Sequence, residues 1–329
     1  MEQFMGSELI VVFGGSGFVG RHVVRALAKA GKRVRVAMRR PHLGADLRVL
    51  GDVGQIQIVQ ANVRFPDSID SALEDADGVV NLVGVLAEHG KQNFEALHAE
   101  APSVIAEAAA KRGIKSFVQV SAIGSAAKGP RYGRSKFAGE QNARAALPET
   151  VVLRPSIMFG PGDTFFNRFA DMARLAPALP IFGGGKSKFQ PLFVGDMADA
   201  VVAALNNEDA RGRTFELGGP RVYTFKELMQ FVLTEIARPR PLIDIPFFIA
   251  HPMGIVIAWF SALNPFMDPP LTGDQVLMLQ KDNVVGADAS AGTIADLGVT
   301  QLESIEAIVP NYLWRFRPYG QFQTKQNAT

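Results

Sequence analysis

Short apolar runs rich in valine and isoleucine alternate along the first half of the chain with longer stretches whose apolar residues recur at helical spacing. The runs are Leu9–Phe13, Arg33–Met38, Ile56–Ala61, Gly78–Leu82, Ser116–Ser121 and Val151–Ile157. The helical stretches are Gly17–Ala30, Asp67–Glu74, Phe94–Lys111 and Tyr132–Ala146. Strands that are apolar on both faces need cover on both, so the alternation predicts an α/β fold with a doubly wound parallel sheet. Gly31 and Gly113 stand where helices should stop, and Pro102 is expected to kink the third helix or to mark its true start.

Past Gly160 the rhythm breaks into loops rich in glycine and proline, "FGPGDTFF" and "PIFGGGKSKFQP". A helical stretch, "FVGDMADAVVAALN", and a strand, "RTFELGGP", follow. This predicts a nucleotide-binding domain over 8–160 with 192–218, and a smaller interleaved C-terminal lobe from 161–191 with 219–329. The last seven residues are expected to fray.

Composition narrows the function classes. With 329 residues, 47% hydrophobic and 20% charged, the chain is an ordinary globular protein. A net charge of +2 spread over scattered basic residues argues against nucleic acid as a partner. The absence of cysteine excludes disulfides and a thiolate nucleophile, and five histidines without i, i+4 pairing predict no metal. Eight residues before the first strand are too few for a targeting segment, so the expectation is a cytoplasmic chain or one already processed.

Gly14, Gly17 and Gly20 form a G-x-x-G-x-x-G series between an apolar run and a helical stretch. Small residues there permit a tight turn, backbone approach to a pyrophosphate and close packing of helix on strand, the signature of a Rossmann-type sheet; a plain tight turn is the alternative. The acid that binds a ribose 2′-hydroxyl in such sites is missing, since no Asp or Glu occurs from Leu9 to Ala45. Arg39 and Arg40 follow the second strand instead, and guanidinium forks suit a 2′-phosphate, so NADP(H) is favoured over NAD(H). A solvated charged loop is the other reading of the arginines.

Ser121 closes the fifth strand, and Tyr132 and Lys136 stand four apart on one helical face. With these residues the sequence resembles the short-chain dehydrogenase/reductase superfamily in its extended or atypical branch. The resemblance implies a catalytic set in which Lys136 lowers the pKa of Tyr132 and Ser121 holds the substrate oxygen. It also implies a cofactor site of Gly14, Ser16, Gly17, Phe18 and Gly20 at the first turn and Arg39 and Arg40 after the second strand. Asn62 and Val63, then Leu82, Val83 and Gly84, would continue it beside Tyr132 and Lys136, with Pro155 and Ile157 from "LRPSIMFGPGD" at the nicotinamide. One departure stands out: "FEALHAEAP" places His98 where related enzymes often carry an asparagine of the proton relay.

Within that superfamily, "GGSGFVGRHVV", "NLVGVL", "YGRSKFAGE", "FQPLFVGDMADAV" and "FELGGP" resemble the nucleotide-binding accessory subunits of respiratory complex I, NADH:ubiquinone oxidoreductase, and their bacterial relatives, over roughly residues 8 to 310. That resemblance implies tightly held NADPH, a structural or redox-sensing role, complex I subunits as partners and a peripheral place on the inner face of the respiratory membrane. An active NADP-dependent oxidoreductase or epimerase on a small apolar or lipid-like substrate is the alternative. Residues 245–267 carry no charge and admit three readings: a membrane span, a buried pocket wall, or a surface that docks on a partner or bilayer. The aromatic and arginine-rich "NYLWRFRPYGQF" fits interface recruitment and helix-end packing equally.

Overall fold

The computed structural model describes residues 7–88, 90, 92–262, 272–286 and 288–322. Its chain divides into two compact units. The first runs to Pro155 and takes in Val194–Leu217 and Gly286–Thr300; the second comprises Ser156–Phe193, Gly218–Val285 and the chain from Gln301 onward.

The first unit is built on an eight-stranded sheet. Strands β1 (Leu9–Phe13), β2 (Arg33–Met38), β3 (Ile56–Gln60), β4 (Gly78–Asn81), β5 (Ser116–Val120) and β6 (Val151–Pro155) take the order β3-β2-β1-β4-β5-β6, continued by Thr214–Leu217 and Gly292–Thr293. Every pairing in it is parallel. The α/β doubly wound sheet read from the alternation is therefore the observed one, with the reversal of strand order between β1 and β4. Helices α1 (Phe18–Lys29), α2 (Pro66–Ala72), α3 (Ala101–Lys111) and α4 (Arg131–Ala146) fill the crossovers. Val11, Phe13, Val79 and Phe117 point to one face, where Ile69, Ile105 and Ala143 of α2, α3 and α4 cover them. Helix α1 packs with Val194–Asn206.

Pro102 marks the start of α3. The preceding segment, Glu95–Glu100, is a π-helix in which the Ala101 N–H reaches back five residues to the Ala96 carbonyl. Proline offers no N–H to the carbonyl four residues earlier, which is that of His98. Gly139 of α4 fits against this carbonyl so closely that a Cβ there would lie 1.8 Å from the oxygen. A second tie joins the same helices, since Asn142 Nδ2 donates to the Ala99 carbonyl at 3.0 Å. Arg154 of β6 forks onto Glu140 of α4 at 2.9 and 2.6 Å and reaches Asp288 at 3.0 Å, so one buried guanidinium fixes α4 to the sheet.

The second unit has a core dominated by phenylalanine. Phe165, Phe166, Phe169 and Phe225 meet edge to face, with Phe165 and Phe169 centroids 5.2 Å apart. The tail belongs to this core: Tyr312, Leu313 and Phe316 are buried, and the Tyr312 hydroxyl donates to buried Asp163, whose carboxylate also accepts the N–H of Phe166 at the start of Phe165–Leu175. Helix-end packing thus accounts for the first part of the tail, while Tyr319 and Phe322 are exposed; residues 323–329 lie outside the described residues.

The uncharged stretch forms a 16-residue helix, Phe247–Ala262, with Pro252 inside it. Phe248 is 78% exposed and Ile255 53%, which rules out a wholly buried wall. The side chains of Trp259 and Phe260, and residues 263–271, lie outside the described residues. No helix among the described residues is long and apolar enough to cross a membrane. The crossing of α3 and α4 yields a prediction: Gly139→Ala, which forces a methyl group onto the His98 carbonyl, costs about 2–3 kcal/mol of stability by chemical denaturation.

Candidate functional site

The first turn is shaped by what its glycines lack. Gly14 sits at φ +79°, and its carbonyl accepts the Gly17 N–H at 3.1 Å. A Cβ on Gly20 would lie 2.3 Å from the Gly14 oxygen, and one on Gly14 would press on the Leu82 and Val83 backbone at 3.1–3.2 Å. The turn therefore lies directly against the exit of β4, bringing Gly14, Leu82 and Val83 together. Helix α1 begins after Gly17 with no side-chain cap and no acid in its first turn. Its leading N–H groups and positive dipole end are left to an anion. Gly17 is exposed, and Ser16 and Phe18 are half-buried beside it.

Arg39 and Arg40 stand exposed just past β2. The next carboxylate along the chain, Asp46, is bound to Arg21, so neither arginine is neutralised from that side. After β3, the Asn62 backbone N–H donates to Ser68 Oγ at 3.0 Å and its Oδ1 accepts the Arg64 N–H at 3.2 Å. These bonds pin the turn that carries Asn62 and Val63. After β4, buried Asn81 donates to Gln119 Oε1 at 2.8 Å and accepts the Val83 N–H at 3.1 Å, which turns Gly84 toward α4. Pro155 ends β6 in the first unit, and Ile157 lies two residues on, in the second.

Lys136 lies buried on α4. Its Nζ is 3.4 Å from the Val120 carbonyl and 3.0 Å from where a Gly84 Cβ would stand. Burial lowers its pKa to about 8, against the pull of Glu140. Tyr132 is half-buried one turn earlier, and desolvation pushes its phenol up to about 12. The phenol is thus protonated at neutral pH. Ser121 Oγ lies 3.0 Å from Ser125 Oγ. Because the Ser125 hydroxyl donates to the Ala122 carbonyl at 2.8 Å, the Ser121 proton is directed at Ser125.

His98 completes the cluster. Its Nε2 accepts the Val85 N–H at 3.0 Å, so the ring proton is on Nδ1, which donates to Ser135 Oγ at 3.0 Å. Ser135 passes its own proton to the Tyr132 carbonyl at 2.8 Å. The ring stacks on Phe94 at 5.1 Å and meets Tyr132 edge-on at 5.4 Å. Burial and the neighbouring Lys136 lower its pKa to about 3, so it is a neutral imidazole with both nitrogens committed. The sequence flagged His98 as a departure. Its partners were not legible, because Ser135 reads as an ordinary helix position and Val85 contributes only backbone.

A profile described as the NAD dependent epimerase/dehydratase family matches residues 10–218. The chain belongs to that family. The family binds a nicotinamide dinucleotide, and the glycine cradle and uncapped α1 fit one: the close Gly14 to Gly20 approach leaves the helix end open, where side chains would fill it. Among relatives, the Arabidopsis thaliana mitochondrial NADH dehydrogenase [ubiquinone] 1 alpha subcomplex subunit 9 is 35% identical over 287 residues, 84% of this chain and 69% of that one. The rat protein of the same name is 32% identical over 329 residues, covering 97% and 84%. A ceramide reductase of Caulobacter vibrioides is 32% identical over 198 residues, 59% of this chain and 60% of its own. Solved structures of the same fold include a dTDP-glucose 4,6-dehydratase from Bacillus anthracis in complex with NAD, at TM-score 0.68 and 15% identity over 97% of this chain and 99% of that one. A UDP-N-acetylglucosamine 4-epimerase from Bacillus cereus follows at 0.58 and 21% over 73% and 86%. Among the described residues no group of three or more His, Asp or Glu could hold a metal.

In this family member the buried lysine supplies a stability test. The folded pKa of Lys136, about 8, lies below the unfolded value of 10.5, so the unfolded chain holds the extra proton across that window and stability rises with pH through it. At pH 7 the buried ammonium costs up to about 3 kcal/mol. Lys136→Met stabilises the free protein at pH 7 by an amount of that order, and urea unfolding at pH 10.5 shows the gain gone.

Proposed function

We propose that this chain is an NADP(H)-binding accessory or assembly subunit of respiratory complex I, with a structural or redox-sensing role, peripheral on the inner face of the respiratory membrane. The observation that carries this reading is the extent of its likeness to relatives named as subunits of that enzyme: 97% of this chain aligns with 84% of the rat protein. Arg39 and Arg40, with no acid ahead of Asp46, favour a 2′-phosphate. In the first unit, Gly14, Ser16, Gly17, Phe18, Gly20, Asn62, Val63, Leu82, Val83, Gly84 and Pro155 would line the cofactor.

In this reading Ser121, Tyr132 and Lys136 hold the cofactor and do not turn over a substrate. Two features favour that. The Ser121 proton is directed at Ser125, and both nitrogens of His98 are committed to Val85 and Ser135. The exposed Phe248, Ile249 and Ile255 of Phe247–Ala262 offer an apolar surface to complex I partners or the bilayer.

A second reading, an NADP-dependent oxidoreductase or epimerase on an apolar or lipid-like substrate, is favoured by the likeness to the ceramide reductase and by the intact Tyr132 and Lys136 pair.

Two measurements follow. Replacing Arg39 and Arg40 with alanine weakens NADPH by roughly tenfold to a hundredfold in calorimetry, the worth of a charge-assisted pair of bonds, and changes NADH by less than about threefold; equal losses refute the NADP(H) preference. On native gels of gently solubilised host membranes the tagged protein migrates with NADH:ubiquinone oxidoreductase activity, and Tyr132→Phe migrates with it. Free migration together with NADPH-dependent turnover that Tyr132→Phe abolishes establishes the second reading.

A further inference from the structure

At the opposite end of α1 from the glycine turn, the first unit carries a surface that the dinucleotide site does not use. Val53 is 98% exposed and Val49 81%, and no other large apolar side chains among the described residues stand so free of protein contact, Phe322 excepted at 82%. Val53 stands on a turn closed by Gly54 at φ +84°. The turn is rigid: buried Gln55 accepts the Asp52 N–H at 2.9 Å through Oε1 and donates Nε2 to the carbonyls of Ala28 at 2.7 Å and Lys32 at 3.0 Å. Beside it lies a cavity of about 400 Å³ lined by Arg25, Lys29, Val49, Gly51, Asp52 and Gln55.

The charge around it has one sign in excess. Arg25, Lys29 and Arg48 are exposed, and none is in an ion pair with a described residue, whereas Asp46 is held by Arg21. Asp52 lines the cavity and exposed Asp199 feels the charge of Lys29, so two carboxylates stand against the three cations. We infer that this face docks on an anionic phospholipid surface, with a headgroup phosphate seated in the cavity between Arg25 and Lys29 and the Val49 and Val53 side chains dipping below the headgroups. Protruding aliphatic side chains at a stiff turn, beside exposed cations in excess of carboxylates, combine the two forces that hold peripheral proteins on bilayers: apolar insertion and attraction to acidic lipid. The inference goes beyond the complex I reading, which offers Phe247–Ala262 to a partner or the bilayer: it assigns the lipid contact to this face of the first unit instead.

The test uses the full chain and vesicles of phosphatidylcholine with or without 30% phosphatidylglycerol, read by co-sedimentation. Wild type binds the anionic vesicles, loses binding as salt is raised, and ignores pure phosphatidylcholine. Arg48→Glu and Val53→Asp, both at exposed positions away from the dinucleotide site, each weaken binding roughly tenfold while NADPH affinity is unchanged. Phe248→Asp, on the exposed apolar helix of the other unit, leaves vesicle binding intact. The inference is overturned by no binding of wild type, by variants at Arg48 and Val53 that bind like wild type, or by loss confined to Phe248→Asp. Binding to poly-glutamate without binding to vesicles also overturns it, and assigns the face to an acidic protein. None of these outcomes bears on co-migration with complex I activity, so the two readings fail separately.

Discussion

A helix can approach a strand or another helix within touching distance of the backbone only where no Cβ stands between them, and this chain depends on that at two places. Gly20 lets α1 settle onto the Gly14 carbonyl, which leaves the uncapped N-terminal end of the helix open at the glycine turn. Gly139 lets α4 settle onto the His98 carbonyl, which sets Tyr132 and Lys136 against the exit of β4. Both are contacts of backbone on backbone, so side chains elsewhere cannot relax to restore them. The binding end and the chemical end of the site are thus fixed by the same steric device.

The polar groups enclosed by this packing make a site with little proton traffic. Lys136 reaches the Val120 carbonyl at 3.4 Å, while the nearby imidazole of His98 stays neutral and the Glu140 carboxylate is forked onto Arg154. Each group is satisfied by protein: Ser135 by His98 and Tyr132, Ser121 by Ser125, Val85 by His98. A network closed on itself rigidifies the pocket and offers few exits for a proton. Such a closed network holds its side chains in place whether or not a substrate is turned over.

The fold was legible because parallel strands buried on both faces and amphipathic crossover helices leave strong periodic signals, and β1, β2 and α1 appear within a residue or two of where those signals put them. The glycine turn was legible for the same reason: φ and close approach restrict the residue types allowed. Other parts carried no such signal. The bond from His98 to Val85 uses a backbone N–H, which every residue but proline has, and the Ser121 to Ser125 bond joins two serines that look alike in sequence. For Phe247–Ala262, uniform apolarity gives no period by which to tell a buried face from an exposed one, and the exposure of Phe248 and Ile255 came only from the structure.

The π-helix ahead of Pro102 has an effect on how this protein is compared with others. Five residues span its hydrogen-bonded turn where four would do in an α-helix, so the segment carries one residue more than a plain helix of the same path. A gapless alignment with a relative lacking that turn keeps its letters in step while the side chains on one side of it fall about 100° out of phase around the axis. The position facing Lys136 then has its spatial counterpart one letter away from its written one, and descent traced through the column of His98 follows the wrong residue.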